Sequence, residues 1–238
     1  MGGFESGATA RWRSLHDIAV VCFVLREAPE QIAERYLAYS HMERWADVRN
    51  YQKHAAALGR KPYTDDEVEA ARTAANEVVA QWGRTMQEPN GWAAPLFPDA
   101  KSIYFSQLEE LAGLGHLRPF YRLGNHYVHA GPRASILNMR DEEGPDSRRL
   151  ITAGPTVMGD IAETCHGAMI SLEQATAALG NAYFDTNPKG AVDIAISLKA
   201  AVMFVRDAGP AYGDAADRAR ERDGSPTGLT IEVPLRAP

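Results

Sequence analysis

Apolar residues in this chain recur at the spacing of a helix and almost never at the spacing of a strand. Leu15, Ile18, Ala19, Cys22 and Leu25 fall at i, i+3, i+4, i+7 and i+10, so residues 8–27 read as an amphipathic helix. Pro29 suits the first turn of a second helix over Glu30–Leu58, with Ile32, Tyr36, Tyr39 and Met42 inward and Gly59 at its end. Thr64-x-x-Glu67 has the form of a capping box and opens a third helix from Asp65 to Met86. A Pro- and Gly-rich loop from Glu88 to Pro98 follows, and its Trp92 and Phe97 give it reason to pack on the body. Further helices are expected over 99–113, from Pro119 to Ala130, from Pro155 to Phe184 and from Pro188 to Ala208. Between them, Ser135–Met139 and Arg149–Thr152 flank the turn-like run Asp141–Asp146, which predicts a short β-hairpin near 135–152. The pattern therefore predicts an all-α bundle of about six or seven helices. It forms a single helical domain over 8–209, with a charged tail over 210–238 that is extended or disordered.

Composition narrows the classes that such a bundle can belong to. With 45% apolar and 24% charged residues the chain is an ordinary globular protein, neither disordered nor a disulfide scaffold. A formal charge of −6 argues against a protein that coats nucleic acid over its whole surface, though it leaves room for a local basic patch. The longest apolar run, Ile18–Leu25, is far short of the roughly 20 residues of a membrane span. The N-terminus, Met1-Gly2-Gly3-Phe4-Glu5, lacks the regions of a signal peptide, so a cytoplasmic location is expected. Cys22 and Cys165 sit in helical patterns, where a reduced, buried thiol is the expected state.

The richest segment runs from Arg118 to Ala130. At helical spacing Arg122, Asn125, His126 and His129 share one face, and Tyr121, Gly124 and Val128 line the other. Gly124 would let a second helix approach closely. An Arg, an Asn and two His residues on one face differ from a solvated face, which favours Lys and Glu. Arg can hold an anion such as phosphate, and His can shuttle a proton near neutral pH. The competing reading is a network that ties α-helices and loops together. A second cluster lies on the first helix, where Arg13, His16 and Asp17 share a face and Arg13 can pair with Asp17 at i,i+4. His126 and His129 at i,i+3 can ligate one metal ion, with Glu34, His41, Glu43, Glu163 and His166 as further donors, but no His-Glu-x-x-His accompanies them. No phosphate loop, dinucleotide fingerprint or nucleophile elbow occurs, so neither a metal nor a cofactor is expected.

These residues carry two resemblances. Arg11-Trp12-Arg13-Ser14-Leu15-His16-Asp17 and Arg118-Pro119-Phe120-Tyr121-Arg122 through His126-Tyr127-Val128-His129-Ala130 resemble the two motifs of a bacterial family of helical proteins of unknown function. The likeness covers residues 8–205, with Asp17 where Glu is usual and a start that implies the loss of an N-terminal helix common in relatives. More distantly, Arg122-x6-His129 and Arg11-x4-His16 resemble the Arg-x4-6-His motif of the HEPN superfamily, with Leu123 where that motif has a polar residue. That resemblance implies a metal-independent ribonuclease of toxin or phage-defence type, working as a homodimer on RNA and restrained by an antitoxin-like partner. The mechanism it implies has His129 as general base or acid on a ribose 2′-hydroxyl and Arg122 steadying the phosphate. With the polar faces read above, the candidate catalytic groups are Arg122, His126, His129, His16 and Arg13, and the candidate binding groups are Arg118, Tyr121, Asn125 and Asp17. The alternatives are a non-catalytic helical protein that binds a partner or small ligand, and a metal-dependent hydrolase.

Overall fold

The helical periodicity is realised almost throughout. A computed structural model describes residues 5–129, 131–133, 140–143, 149–152, 158–186 and 190–223. Among these the α-helices are α1 (Glu5–Glu27), α2 (Glu30–His54), α3 (Asp65–Trp82), α4 (Phe105–Leu111), α5 (Arg118–Val128), α6 (Met158–Thr186) and α7 (Ala191–Asp223). The fold is all-α, and the sheet among the described residues is the hairpin β1 (Arg140–Glu143) and β2 (Arg149–Thr152). None of the described helices is long and apolar enough to cross a membrane. By internal contacts the chain divides into two compact units, residues 23–115 and residues 1–22 with 116–238.

In the unit of residues 23–115, local chemistry sets most boundaries. The Thr64 hydroxyl accepts from the Glu67 amide at 3.3 Å while the Glu67 carboxylate accepts from the Thr64 amide at 2.8 Å, which completes the capping box. α3 stops at Trp82, short of the expected Met86, because Gly83 adopts φ 90° and its amide closes on Val79. The loop after it packs as expected: two 3-10 turns, Arg84–Gln87 and Gly91–Leu96, bury Met86 and Trp92. Gly91 has no room for a side chain there, since a Cβ would lie 1.8 Å from the Thr85 carbonyl oxygen. On α2 the inward face differs from the expected one. Ile32 and Val48 are buried, Tyr36 is exposed, and the residue that enters the core is Arg35.

The other unit is built on α1, α5, α6 and α7. α1 and α6 run parallel, Thr9 Oγ1 lying 3.2 Å from Thr164 Oγ1 and Trp12 against Gly167. α6 and α7 run antiparallel, with Gly180 against Ile194 and Leu198 and Gly209 against His166. The packed stripe of α1 is Thr9, Trp12, His16, Ala19 and Val20, rotated from the expected one so that Ile18 is exposed. Trp12 offers more surface to bury than any aliphatic residue of the helix, so its face turns inward and carries polar Thr9 and His16 with it. α7 continues through Pro210 to Asp223, where an extended tail was expected from 210. Tyr212 stacks on His166 and Ala216 and Ala219 are buried beyond it, so tertiary contacts offset the hydrogen bond that the proline removes.

The hairpin is present with antiparallel register Arg140↔Thr152 to Glu143↔Arg149. Its first strand lies later than expected and uses Asp141, Glu142 and Glu143, which the sequence suggests as turn. Pairing against Arg149–Thr152 overrides their weak strand preference, and residues 134–139 and 144–148 lie outside the described residues.

Candidate functional site

Both sequence motifs meet in the unit that holds α1 and α5. A Cβ on Gly124 would lie 3.3 Å from Thr9 Cγ2 and 3.7 Å from the Trp12 ring, so α5 approaches α1 closely at the glycine that the sequence singled out. This contact brings Tyr121 over Arg13 and His16. Arg13 Nη2 donates to the Tyr121 hydroxyl at 2.9 Å, and the Arg13 guanidinium lies 4.9 Å from the centre of the Tyr121 ring. The Arg118 guanidinium lies 5.3 Å from the same ring. His16 is fully buried between Trp12, stacked at 5.9 Å, and Tyr121, tilted at 5.5 Å.

Burial and the nearby Asp17 carboxylate, which accepts a hydrogen bond from the Tyr121 hydroxyl, push that hydroxyl up to about 12, against the opposing pull of Arg13. Arg13 and Asp17 are thus linked through Tyr121 as well as by their i,i+4 spacing. A raised folded value has a definite consequence. Below about pH 10 the hydroxyl is neutral in both the folded and the unfolded chain, so its contribution to stability is complete. Between about 10 and 12 only the unfolded chain ionises, and about 1–2 kcal/mol of stability is lost. Urea unfolding should accordingly fall more steeply over this range for the wild type than for Tyr121→Phe. Equal slopes would show that Tyr121 is not held neutral.

Arg13, His16, Asp17, Arg118 and Tyr121 therefore form one cluster, with His16 and Tyr121 buried and the three charged residues half-buried. The expected stripe of Arg122, Asn125, His126 and His129 is not continuous. α5 ends at Val128, and His129 has extended backbone with φ −108° and ψ 132°, so it leaves the face that helical spacing assigns to it. Arg122 and His129 are exposed, Asn125 and His126 half-buried, and Val128 is exposed rather than packed. Among the described residues the side chains of Arg122, His126 and His129 have no hydrogen-bond or ion-pair partner. Residues 118–133 carry Arg118, Arg122 and Arg133 and no Asp or Glu, an acid-free run in a chain of net charge −6.

The buried position of His16 changes its reading. His16 has no exposed surface, whereas Arg13 is half-buried and donates to the Tyr121 hydroxyl. No group of three His, Cys, Asp or Glu side chains close enough for a metal ion occurs among the described residues. Glu34, His41 and Glu43 belong to the other unit, and the Glu163 side chain lies outside the described residues. Sequence reasoning missed Trp12 as the centre of this cluster, although its position within the motif was visible. It also missed Ser171, which is fully buried on α6 with its hydroxyl lacking a hydrogen-bond partner among the described residues.

A family model with the description "Family of unknown function (DUF5677)" matches residues 1–146, which hold α1 to α5 and the first strand. No curated protein and no solved structure matches the chain.

Proposed function

Because the chain belongs to the family of unknown function DUF5677, whose description assigns no activity, we propose a function from its own residues: it binds the phosphate backbone of RNA along α5 and cleaves it without a metal ion. One observation carries this reading. Arg122 and His129 are exposed, uncommitted among the described residues, and set in an acid-free cationic run. Arg118 and Arg122 lie one turn apart on α5, a spacing suited to anionic groups along a chain. The chemistry needs only these groups. Imidazole of His129 takes the proton of a ribose 2′-hydroxyl, whose oxygen attacks phosphorus. The bond from phosphorus to the 5′-oxygen breaks, and that oxygen takes a proton from the His126 imidazolium, leaving a 2′,3′-cyclic phosphate and a 5′-hydroxyl. Arg122 offsets the charge that builds on the phosphoryl oxygens.

Arg13, His16, Asp17 and Tyr121 are positioning residues in this scheme, and Asn125 lies within the cationic run. The HEPN-like resemblance supports the roles of Arg122 and His129 and adds a toxin or phage-defence setting with an antitoxin-like partner in the cytoplasm. A second reading, binding of a phosphate-bearing ligand without cleavage, is favoured by the lack of any group that orients His126 or His129 among the described residues. Incubation of a mixed RNA pool with purified protein in EDTA separates the two. Cleavage is expected, with His129→Ala reducing the rate at least about 100-fold and Arg122→Ala weakening both binding and rate. RNA bound but uncut by the wild type would remove the catalytic claim, and RNA neither bound nor cut would remove both.

A further inference from the structure

The Tyr121 hydroxyl takes a hydrogen bond from Arg13 Nη2 at 2.9 Å, which uses only one corner of the guanidinium. Arg13 Nε is buried and has no hydrogen-bond partner among the described residues. Neither has the buried Asn125 Oδ1 on the facing helix. The first is an N–H donor on a permanent cation and the second is a carbonyl acceptor. Leaving either kind of group buried and unpaired is costly, most of all when it is charged.

Three contacts bring the two atoms to the same stretch of the α1–α5 seam. Arg13 Cβ lies 3.8 Å from where a Cβ on Gly124 would stand, so the Arg13 side chain starts beside the residue that precedes Asn125. It then runs along α5 to Tyr121, where its guanidinium lies 4.9 Å from the ring centre. Asn125 is one turn beyond Tyr121, and a helical side chain leans back over the preceding turn, so its amide lies over the stretch that Arg13 crosses. Donor and acceptor thus face one seam without bonding to each other.

We infer that one internal water molecule is bound in this seam, accepting from Arg13 Nε and donating to Asn125 Oδ1. Water is the ligand that fits, because it offers an acceptor and a donor at once and an internal water is held by about two to four polar partners. A larger ligand has no way to two atoms that are shielded from solvent. A metal ion would meet the positive charge of the guanidinium. The bridge ties Arg13 to α5 at a second point, beside its bond to Tyr121.

A crystal structure of the full chain that resolves ordered water tests the site directly. One water within about 3.2 Å of both Arg13 Nε and Asn125 Oδ1 is expected. A direct bond between the two atoms, an Asn125 amide turned out to solvent, or a water on only one of them would overturn the inference. Urea unfolding reads the same bridge in solution, by its sign. Asn125→Leu keeps the size of the side chain and improves helix propensity, so it should stabilise the protein if Oδ1 is simply unpaired. With the water in place the change strands the Arg13 N–H, and the folding equilibrium constant should fall about tenfold. In an Arg13→Lys background, which keeps a cation near Tyr121 but has no Nε donor, Asn125→Leu should be neutral within about twofold. No fall in the wild-type background, or the same fall in both, would overturn the inference as well. The crystal structure decides the matter if the lysine variant fails to fold.

Discussion

Arg35→Ala should destabilise the unit of residues 23–115 by about 4 kcal/mol, seen as a large drop in its urea midpoint. Arg35 is a buried cation with no carboxylate among its bonded partners. Nε donates to the Trp92 carbonyl, Nη1 to the Trp82 carbonyl and Nη2 to the Gly91 carbonyl, each at 2.9 Å, and Nη2 also reaches Thr85 Oγ1 at 3.3 Å. Its guanidinium stacks over the Trp82 ring at 5.6 Å. One planar fork therefore ties the end of α3 to both 3-10 turns. Burial lowers the affinity of the group for its proton, yet a guanidinium stays charged at any accessible pH, so the three carbonyls keep their donors. Alanine strips all three at once, and each buried acceptor left without a donor costs about 1–3 kcal/mol. Arg35→Lys should recover only part of the loss, about 1–2 kcal/mol, because an ammonium cannot reproduce the fork. Arg44→Ala, exposed on the same helix, should stay within about 0.5 kcal/mol. A loss below about 1 kcal/mol for Arg35→Ala would show that water replaces the guanidinium at little cost.

Trp12→Ala should cost a comparable 3–5 kcal/mol in the other unit, by emptying the space between α1, α5 and α6. The indole is 5% exposed, lies against Gly124 on α5 and Gly167 on α6, and stacks on His16. The two glycines make the test sharper than a single truncation. A Cβ on Gly167 would stand 3.0 Å from Trp12 Nε1 and 3.2 Å from Cδ1, so Gly167→Ala alone should cost about 1–3 kcal/mol through overpacking. In the Trp12→Ala background the clash is gone, and the same change should be neutral or stabilise by about 1 kcal/mol through helix propensity. The double-mutant cycle thus predicts a coupling that changes the sign of the Gly167→Ala effect. Additive effects would mean that Trp12 does not fill the gap that the glycines leave.

The parts of the fold that were legible in advance are those that short stretches of chain encode alone. Thr64 and Glu67 make a helix start wherever they sit, because both hydrogen bonds lie within three residues. Gly124 announced a close approach because it offers a bare backbone on a helix face that is otherwise well furnished. Trp92 in a Pro- and Gly-rich loop announced packing, since a large apolar ring has nowhere else to go. Other features misled for an equally physical reason. A hydrophobicity pattern counts Leu15, Ile18 and Cys22 as core and discounts Arg35, His16 and Thr9, although a polar group enters a core readily once its donors and acceptors are met there. The four-residue stripe on α5 assumed a helix that runs to Ala130. It ends two residues earlier, and that shortfall takes His129 off the face of Arg122.

An all-α chain, most of its helix starts, a hairpin and two polar motifs on separate helices are written locally in the residues. All of these follow from periodicity, capping and turn chemistry acting over a few residues. Which polar residues are inside and which are available depends on packing between elements far apart in the chain. It buried His16 and Arg35, left Arg122 and His129 open, and carried α7 through Pro210, because burial is set by the area that distant elements cover and not by neighbours along the chain.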